Sequence, residues 1–306
     1  MAQHLIHVGY GKAGSTFLQV WFESHSELCY QPGGLGGFNN VYELARPSGK
    51  TYKYYVTSYE GLSLPIVSAG GIHLDFASAR PERETGAKKK QAEVCAVLKT
   101  LFPDSRVLIV TRGFKGLIIS GYSECVRLGT RLHLNEVCRE FSECLRVDDD
   151  HYWDFDYLIR LYRAAFGDEN LIVMPYELLR DDQSRFLTIL EEKLDISHAE
   201  VKPDRLNPSL SPEELYWYPL FSRAISTSAA RLGNARFQKI HRWYVTKILN
   251  KRLHLLVKVL RLVQPDRKVT EADFADDILR YCRGKAKLLK ELPLYSPYAA
   301  EYLWDE

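Results

Sequence analysis

"IHVGYGKAGSTFLQ", residues Ile6 to Gln19, decides the reading of the fold. The run from His4 to Tyr10 alternates and then meets glycine, the pattern of a short buried strand entering a loop. Directly after it, Phe17, Leu18, Trp21 and Phe22 fall at helical spacing. A strand, a glycine loop and a helix in that order make a phosphate-binding element. The N–H groups at the helix start point at an anion, and the helix dipole adds about half a positive charge there. The nucleotide triphosphatase pattern, G-x-x-x-x-G-K-[ST], sets lysine directly after its second glycine. Here Gly9 and Gly14 supply that glycine spacing, but Lys12 precedes Gly14, and Ser15 and Thr16 follow it. Lys12 brings a full charge to the loop, and the two hydroxyls bring further donors to phosphate oxygens.

Outward from this loop, "RVLIVTR" is the clearest buried strand, Arg106 to Thr111. A magnesium-dependent triphosphatase needs an acid at the end of such a strand to hold its metal. The strand ends instead in Thr111 and Arg112. A cation there points to a ligand with an additional anionic group, and to no metal requirement. "TYKYYVTSYEGLS" has a β-rich centre from Tyr52 to Thr57, and "NLIVMPYELL" reads as a later strand. Helical spacing marks the segments around Val94–Leu101, Gly113–Leu128, Leu134–Val147, Tyr157–Phe166 and Arg185–Leu194. Strands alternating with helices predict an α/β fold, a doubly wound parallel sheet carrying the phosphate-binding loop, with a helical C-terminal cap. The expected division is a core over residues 1–215 and a helical, basic part over 216–306 packing on it.

The 306 residues, 46% hydrophobic and 26% charged, supply enough apolar material for a large core and exclude a disordered chain. With 41 basic against 39 acidic residues the formal charge is only +2, which gives no global argument for a nucleic-acid partner. Cys29, Cys95, Cys125, Cys138, Cys144 and Cys282 show no CxxC pair or metal-ligand spacing, and read as reduced core thiols. No run approaches the roughly 18 apolar residues of a membrane span, and "MAQHLIHVGYGK" lacks the regions of a signal peptide. The expected location is cytoplasmic.

"GKAGSTFL" resembles the 5′-phosphosulfate loop of sulfotransferases, in which Lys precedes x-Gly-[Ser/Thr]-Thr and an apolar residue. "RVLIVTRGFKGLIISGY" resembles their 3′-phosphate motif, a strand ending in Arg with a Ser eight residues on. The resemblance runs from about Ile6 to Leu215 and takes in "NLIVMPYELLRDDQSRFLTILEEKLDI" and "LNPSLSPEEL". It implies a donor, 3′-phosphoadenosine 5′-phosphosulfate (PAPS), whose 3′-phosphate is the additional anion. By that resemblance Gly11, Lys12, Ala13, Gly14, Ser15, Thr16 and Phe17 bind the 5′-phosphosulfate, and Arg112 and Ser120 bind the 3′-phosphate. The Arg-Lys-Gly element of cytosolic sulfotransferases is missing; the final helical stretch, "DDILRYCRGKAKLLKEL", stands as the candidate replacement.

Sulfuryl transfer to a hydroxyl or amine needs a base and positive charge at the donor's bridging oxygen. Lys12 is the candidate for the charge. Glu60, just past the second strand with Ser58 and Ser63 around it, is the candidate base. His7 and His73 are its rivals, and Glu177 reads as a structural helix-start carboxylate. A nucleotide or small-molecule kinase and a non-catalytic nucleotide- or lipid-binding protein are the competing functions. Residues 223–268 carry twelve basic side chains against Asp266 alone, on what reads as one amphipathic helix from Ile240 to Val263. That region suggests an anionic acceptor or a membrane surface, with no nucleic acid expected. The acceptor itself, whether glycan, lipid or small metabolite, is not encoded in any motif.

Overall fold

The computed structural model describes residues 3–31, 49–63, 86–145, 153–199, 210–229, 234–274 and 276–304. Five strands form one sheet: β1 (Gln3–His7), β2 (Leu28–Cys29), β3 (Tyr54–Ser58), β4 (Arg106–Thr111) and β5 (Leu171–Pro175). Their order is β2-β3-β1-β4-β5, and every pairing is parallel. The expected α/β architecture is therefore present. Parallel strands need crossovers and are covered on both faces, so they read as near-continuous apolar runs. Leu5 and Ile6 of β1 and Val107 to Val110 of β4 are fully buried. Each such side chain contributes about 1.5–3 kcal/mol relative to exposure.

The first strand lies between β3 and β4, and the chain lays later strands on both sides of it. This is the reversal point at which open α/β sheets take ligands, outside the carboxyl ends of the strands. Three adjacent strands therefore deliver the loop after β1, the turn after β3 and the Arg112 segment after β4 to one edge. The two-residue β2 is too short to carry a periodic signal. β5 ends at Pro175, where a helix, Tyr176–Asp181, begins, so "NLIVMPYELL" is half strand and half helix.

The C-terminal part differs from expectation in two places. The basic helix is two helices, Asn234–Leu249 and His254–Val263. Lys251 adopts a left-handed φ of 53°, while Lys251 N–H donates to the Ile248 carbonyl and Arg252 N–H to that of Lys247. These bonds form a Schellman stop. The final stretch is α-helical only over Asp276–Cys282, breaks where Gly284 turns left-handed at φ 75°, and resumes as a 3₁₀ segment, Lys287–Glu291. Beyond that turn the backbone is tied to Asp156, whose carboxylate accepts from the N–H groups of Lys287 and Leu288, each at 2.9 Å.

A 3₁₀ segment, Pro293–Tyr302, then locks the end of β4. The Tyr302 hydroxyl donates to Glu177 Oε2 at 2.9 Å and lies 3.0 Å from Thr111 Oγ1, which lies 2.8 Å from the Tyr295 hydroxyl. Tyr302 has one proton and gives it to Glu177, so Thr111 donates to Tyr302 and accepts from Tyr295. The other Glu177 oxygen accepts from Gly113 N–H at 2.9 Å. Thr111, Glu177, Tyr295 and Tyr302 are all buried. Burial pushes the Glu177 carboxyl above its ordinary pKa, against the pull of the Gly113 and Tyr302 hydrogen bonds. Cys29, Cys95, Cys125, Cys138 and Cys282 are buried, as expected for core thiols. Among the described residues no helix is long and apolar enough to cross a membrane.

Tyr302→Phe takes one hydrogen bond each from buried Glu177 and Thr111, so it should destabilise the chain by about 1–3 kcal/mol in denaturant unfolding. A change within error would show that the hydrogen-bond chain contributes nothing.

Candidate anion-binding active site

The loop after β1 turns through two left-handed residues, Lys12 at φ 68° and Gly14 at φ 85°. Gly14 is the N-cap of the helix Ser15–Ser24, and no side chain among the described residues caps it. The first N–H groups of an α-helix have no partner within the helix. They face the loop beside alternating left-handed backbone, an arrangement that forms an anion nest. A Cβ at Gly14 would stand 2.7 Å from Leu179 Cδ2, and one at Gly9 would stand 2.5 Å from His7 Nε2. Glycine is required at both positions by the closeness of their neighbours. Ser15 Oγ is buried and has no hydrogen-bond partner among the described residues. An unpaired buried hydroxyl is costly unless something fills the site, which is where a ligand oxygen would lie. Thr16 is exposed, and Gly11 and Phe17 are half-buried.

Lys12 Nζ is 2.9 Å from Glu124 Oε2, with the two side chains 40% and 43% exposed. At that exposure the pair contributes little to stability. Its effect is to hold the ammonium group against the helix Phe114–Arg127. Arg112 reaches the same loop from β4: its Nη1 donates to the Lys12 carbonyl at 2.7 Å, and its guanidinium lies 4.5 Å from the Tyr176 ring centroid. Burial lowers the Arg112 pKa, yet a guanidinium stays charged. A Cβ at Gly116 would lie 3.1 Å from Arg112 Nε. Gly116, Ser120 and Glu124 are spaced i, i+4, i+8 on the helix Phe114–Arg127 and share one face. Gly116 faces Arg112 and Glu124 faces Lys12. Ser120, half-buried, therefore lies between the two cations, one turn from each end of the stripe.

Glu60 opens a single 3₁₀ turn after β3 and is half-buried. The Ser63 hydroxyl fastens this turn to the loop, at 2.8 Å from the Gly9 carbonyl and 3.0 Å from that of Glu60. Ser63 is in turn held by Gln91, whose Nε2 donates to its carbonyl at 2.7 Å. His7, the first rival base, is buried behind the loop with Nδ1 2.8 Å from Ser58 Oγ. Burial pushes its imidazole down to about 3, so it is a neutral, packed ring. His73 lies outside the described residues, as does most of the glycine-rich stretch Gln31–Asn40. Glu177 serves the structural role read from the sequence, at the start of a helix and bonded to Gly113.

One sheet edge thus collects Lys12, Gly14, Ser15 and Arg112, with the Glu60 turn stapled alongside and Ser120 on the neighbouring helix face. Glu124 and Tyr176 belong to the same place and were not anticipated, and Ser63, expected beside Glu60, proves to bond the loop as well. Glu124 follows Ser120 by four residues on a helix, a spacing that could have marked it. Nothing local signals Ser63's bond to Gly9 or Tyr176's place beside Arg112.

The fold and site define an α/β protein with a phosphate-type loop at the reversal point of a parallel sheet. No known family profile and no curated protein matches this sequence. Among solved structures, the chain is similar to the crystal structure of a sulfotransferase from Alicyclobacillus acidocaldarius, with 18% identity and a TM-score of 0.43. The match covers 78% of this chain and 99% of that one.

Gly9→Ala should destabilise the chain by about 1–3 kcal/mol through overpacking against His7. Gly121→Ala, where a Cβ meets nothing within 4 Å inside a helix, should instead stabilise by about 0.5–1 kcal/mol. Thermal unfolding of both variants decides whether the loop glycine is constrained as described.

Proposed function

We propose that this chain transfers a sulfuryl group from PAPS to a hydroxyl or amine acceptor. The observation that carries the reading is the pair of cations at one sheet edge: Lys12 on the loop and Arg112 bonded to that loop's backbone. A ligand with two separated anionic groups fits this pair. The 5′-phosphosulfate would take the helix N-terminus, the Ser15 and Thr16 hydroxyls and Lys12, while the 3′-phosphate would take Arg112 and Ser120. A triphosphate held by magnesium fits less well, because Thr111 is engaged with Tyr295 and Tyr302 and the next residue is a cation.

In the reaction an acceptor oxygen or nitrogen forms a bond to sulfur as the bridging bond to the 5′-phosphate breaks. The proton leaves the acceptor for Glu60, and the electron pair of the broken bond stays on the phosphate. Lys12 stabilises that developing charge, and the loop N–H groups hold it without reorganising. Glu124 pairs with Lys12, and an anion in the loop competes with it for the ammonium group.

3′,5′-Adenosine bisphosphate should raise the melting temperature far more than AMP, and Arg112→Ala should remove most of the difference; equal shifts would sink the donor assignment. With labelled donor, transfer should persist in the presence of a chelator. Glu60→Gln should slow it by about 10²–10⁴-fold while leaving the thermal shift intact. Chelator-sensitive transfer from ATP would instead make the chain a kinase.

A further inference from the structure

The helix His254–Val263 turns its apolar side chains the wrong way for a helix of a self-contained protein. Val257 is buried, and Leu253 and Leu260 are half-buried against the rest of the chain. The opposite face carries Leu255, Val259 and Leu262, spaced i, i+4, i+7, with exposures of 70%, 57% and 83%. Val263, 71% exposed, and Leu256 extend this face on one side. On the preceding helix Trp243 is 58% exposed, with Lys247 Nζ 5.2 Å from its ring centroid. Of the eleven exposed large hydrophobic side chains among the described residues, six fall between Trp243 and Val263. Scattered apolar side chains are ordinary on a surface, whereas a contiguous cluster marks an interaction site.

Charge identifies the occupant. From Lys239 to Lys268 there are nine basic residues and a single acid, Asp266. Two of the cations turn inward: Arg261 pairs with Glu213 at 3.3 Å, and Arg267 donates to the Tyr216 hydroxyl at 3.0 Å. Lys251, Arg252, Lys258 and Lys268 are exposed and flank or follow the apolar stripe. A second copy would bring the same positive charge to the contact and repel. An anionic bilayer meets both features at once, taking leucine and valine among its acyl chains and lysine and arginine at its phosphates. Tryptophan is at home at that boundary.

We infer that the outward face of helices Asn234–Leu249 and His254–Val263 docks on an anionic lipid bilayer. The helix lies in the plane of the headgroups, with Leu255, Val259 and Leu262 downward and the cations at its rim. Apolar burial and electrostatic attraction act together, and salt weakens only the second. The inference does not rest on sulfuryl transfer, and the two stand or fall separately.

Co-sedimentation of the full chain with phosphatidylcholine vesicles, with and without phosphatidylglycerol, tests it. At low ionic strength the bound fraction on anionic vesicles should exceed that on neutral ones by at least about tenfold, and salt should reverse it. The double substitution Leu255→Asp/Leu262→Asp, and separately Lys251→Glu/Lys258→Glu, should abolish binding. All four positions are exposed, so the melting temperature and its shift with 3′,5′-adenosine bisphosphate should stay unchanged. Absence of binding to anionic vesicles, or equal binding by the Leu255→Asp/Leu262→Asp chain, overturns the inference. So does a dimer in light scattering that these two substitutions break while vesicles bind neither form.

Discussion

The tight reversal between β1 and its helix is the constraint on which the site depends. Lys12 is a side-chain-bearing residue held in left-handed backbone at φ 68°, a conformation that costs about 1–2 kcal/mol outside glycine. Gly14 repeats the turn where Leu179 and Tyr176 leave no space for a Cβ. Such backbone persists only when its surroundings over-determine it. Here β4 does so through Arg112, which bonds the Lys12 carbonyl, and the β3 turn does so through Ser63, which bonds the Gly9 carbonyl. The same contacts that hold the loop in shape bring the second cation and the candidate base to its side. Stability of the turn and assembly of the site are therefore one problem, solved by three neighbouring strands.

Behind Arg112, the hydrogen-bond chain from Tyr295 through Thr111 and Tyr302 to Glu177 and Gly113 N–H fixes where β4 ends and the next helix begins. A buried polar chain of this kind is favourable only when each member is satisfied. Here each is, and the arrangement makes the last residues of the chain part of the support for the site. Glu177 performs that task from the start of the helix that follows β5. That carboxylate is structural, and the proposed chemistry falls to groups on the loop side.

The parallel sheet was legible because β4 is a continuous apolar run and strands alternate with helices, and the loop was legible because glycine, lysine and hydroxyl residues stand between a strand and a helix. Arg112 could be placed because it directly follows the clearest strand. What stayed hidden was set by tertiary contact. Thr111 meets Tyr302 across 191 residues, and Lys12 meets Glu124 across 112; neither pairing leaves a local trace. The periodicity of the basic region was correctly amphipathic, yet it could not show the break at Lys251. Nor could it reveal that the apolar stripe Leu255–Leu262 faces outward, since a period marks a face without saying which way it points.

The central claim is that one sheet edge binds two separated anions of a single nucleotide. A crystal structure with 3′,5′-adenosine bisphosphate tests it most directly. The account predicts the 5′-phosphate against the N–H groups of residues 12–16, the Ser15 hydroxyl bonded to it, and the 3′-phosphate within hydrogen-bond distance of Arg112 and Ser120. A nucleotide whose 3′-phosphate lies away from Arg112, or whose 5′-phosphate leaves Ser15 unpaired, would contradict it.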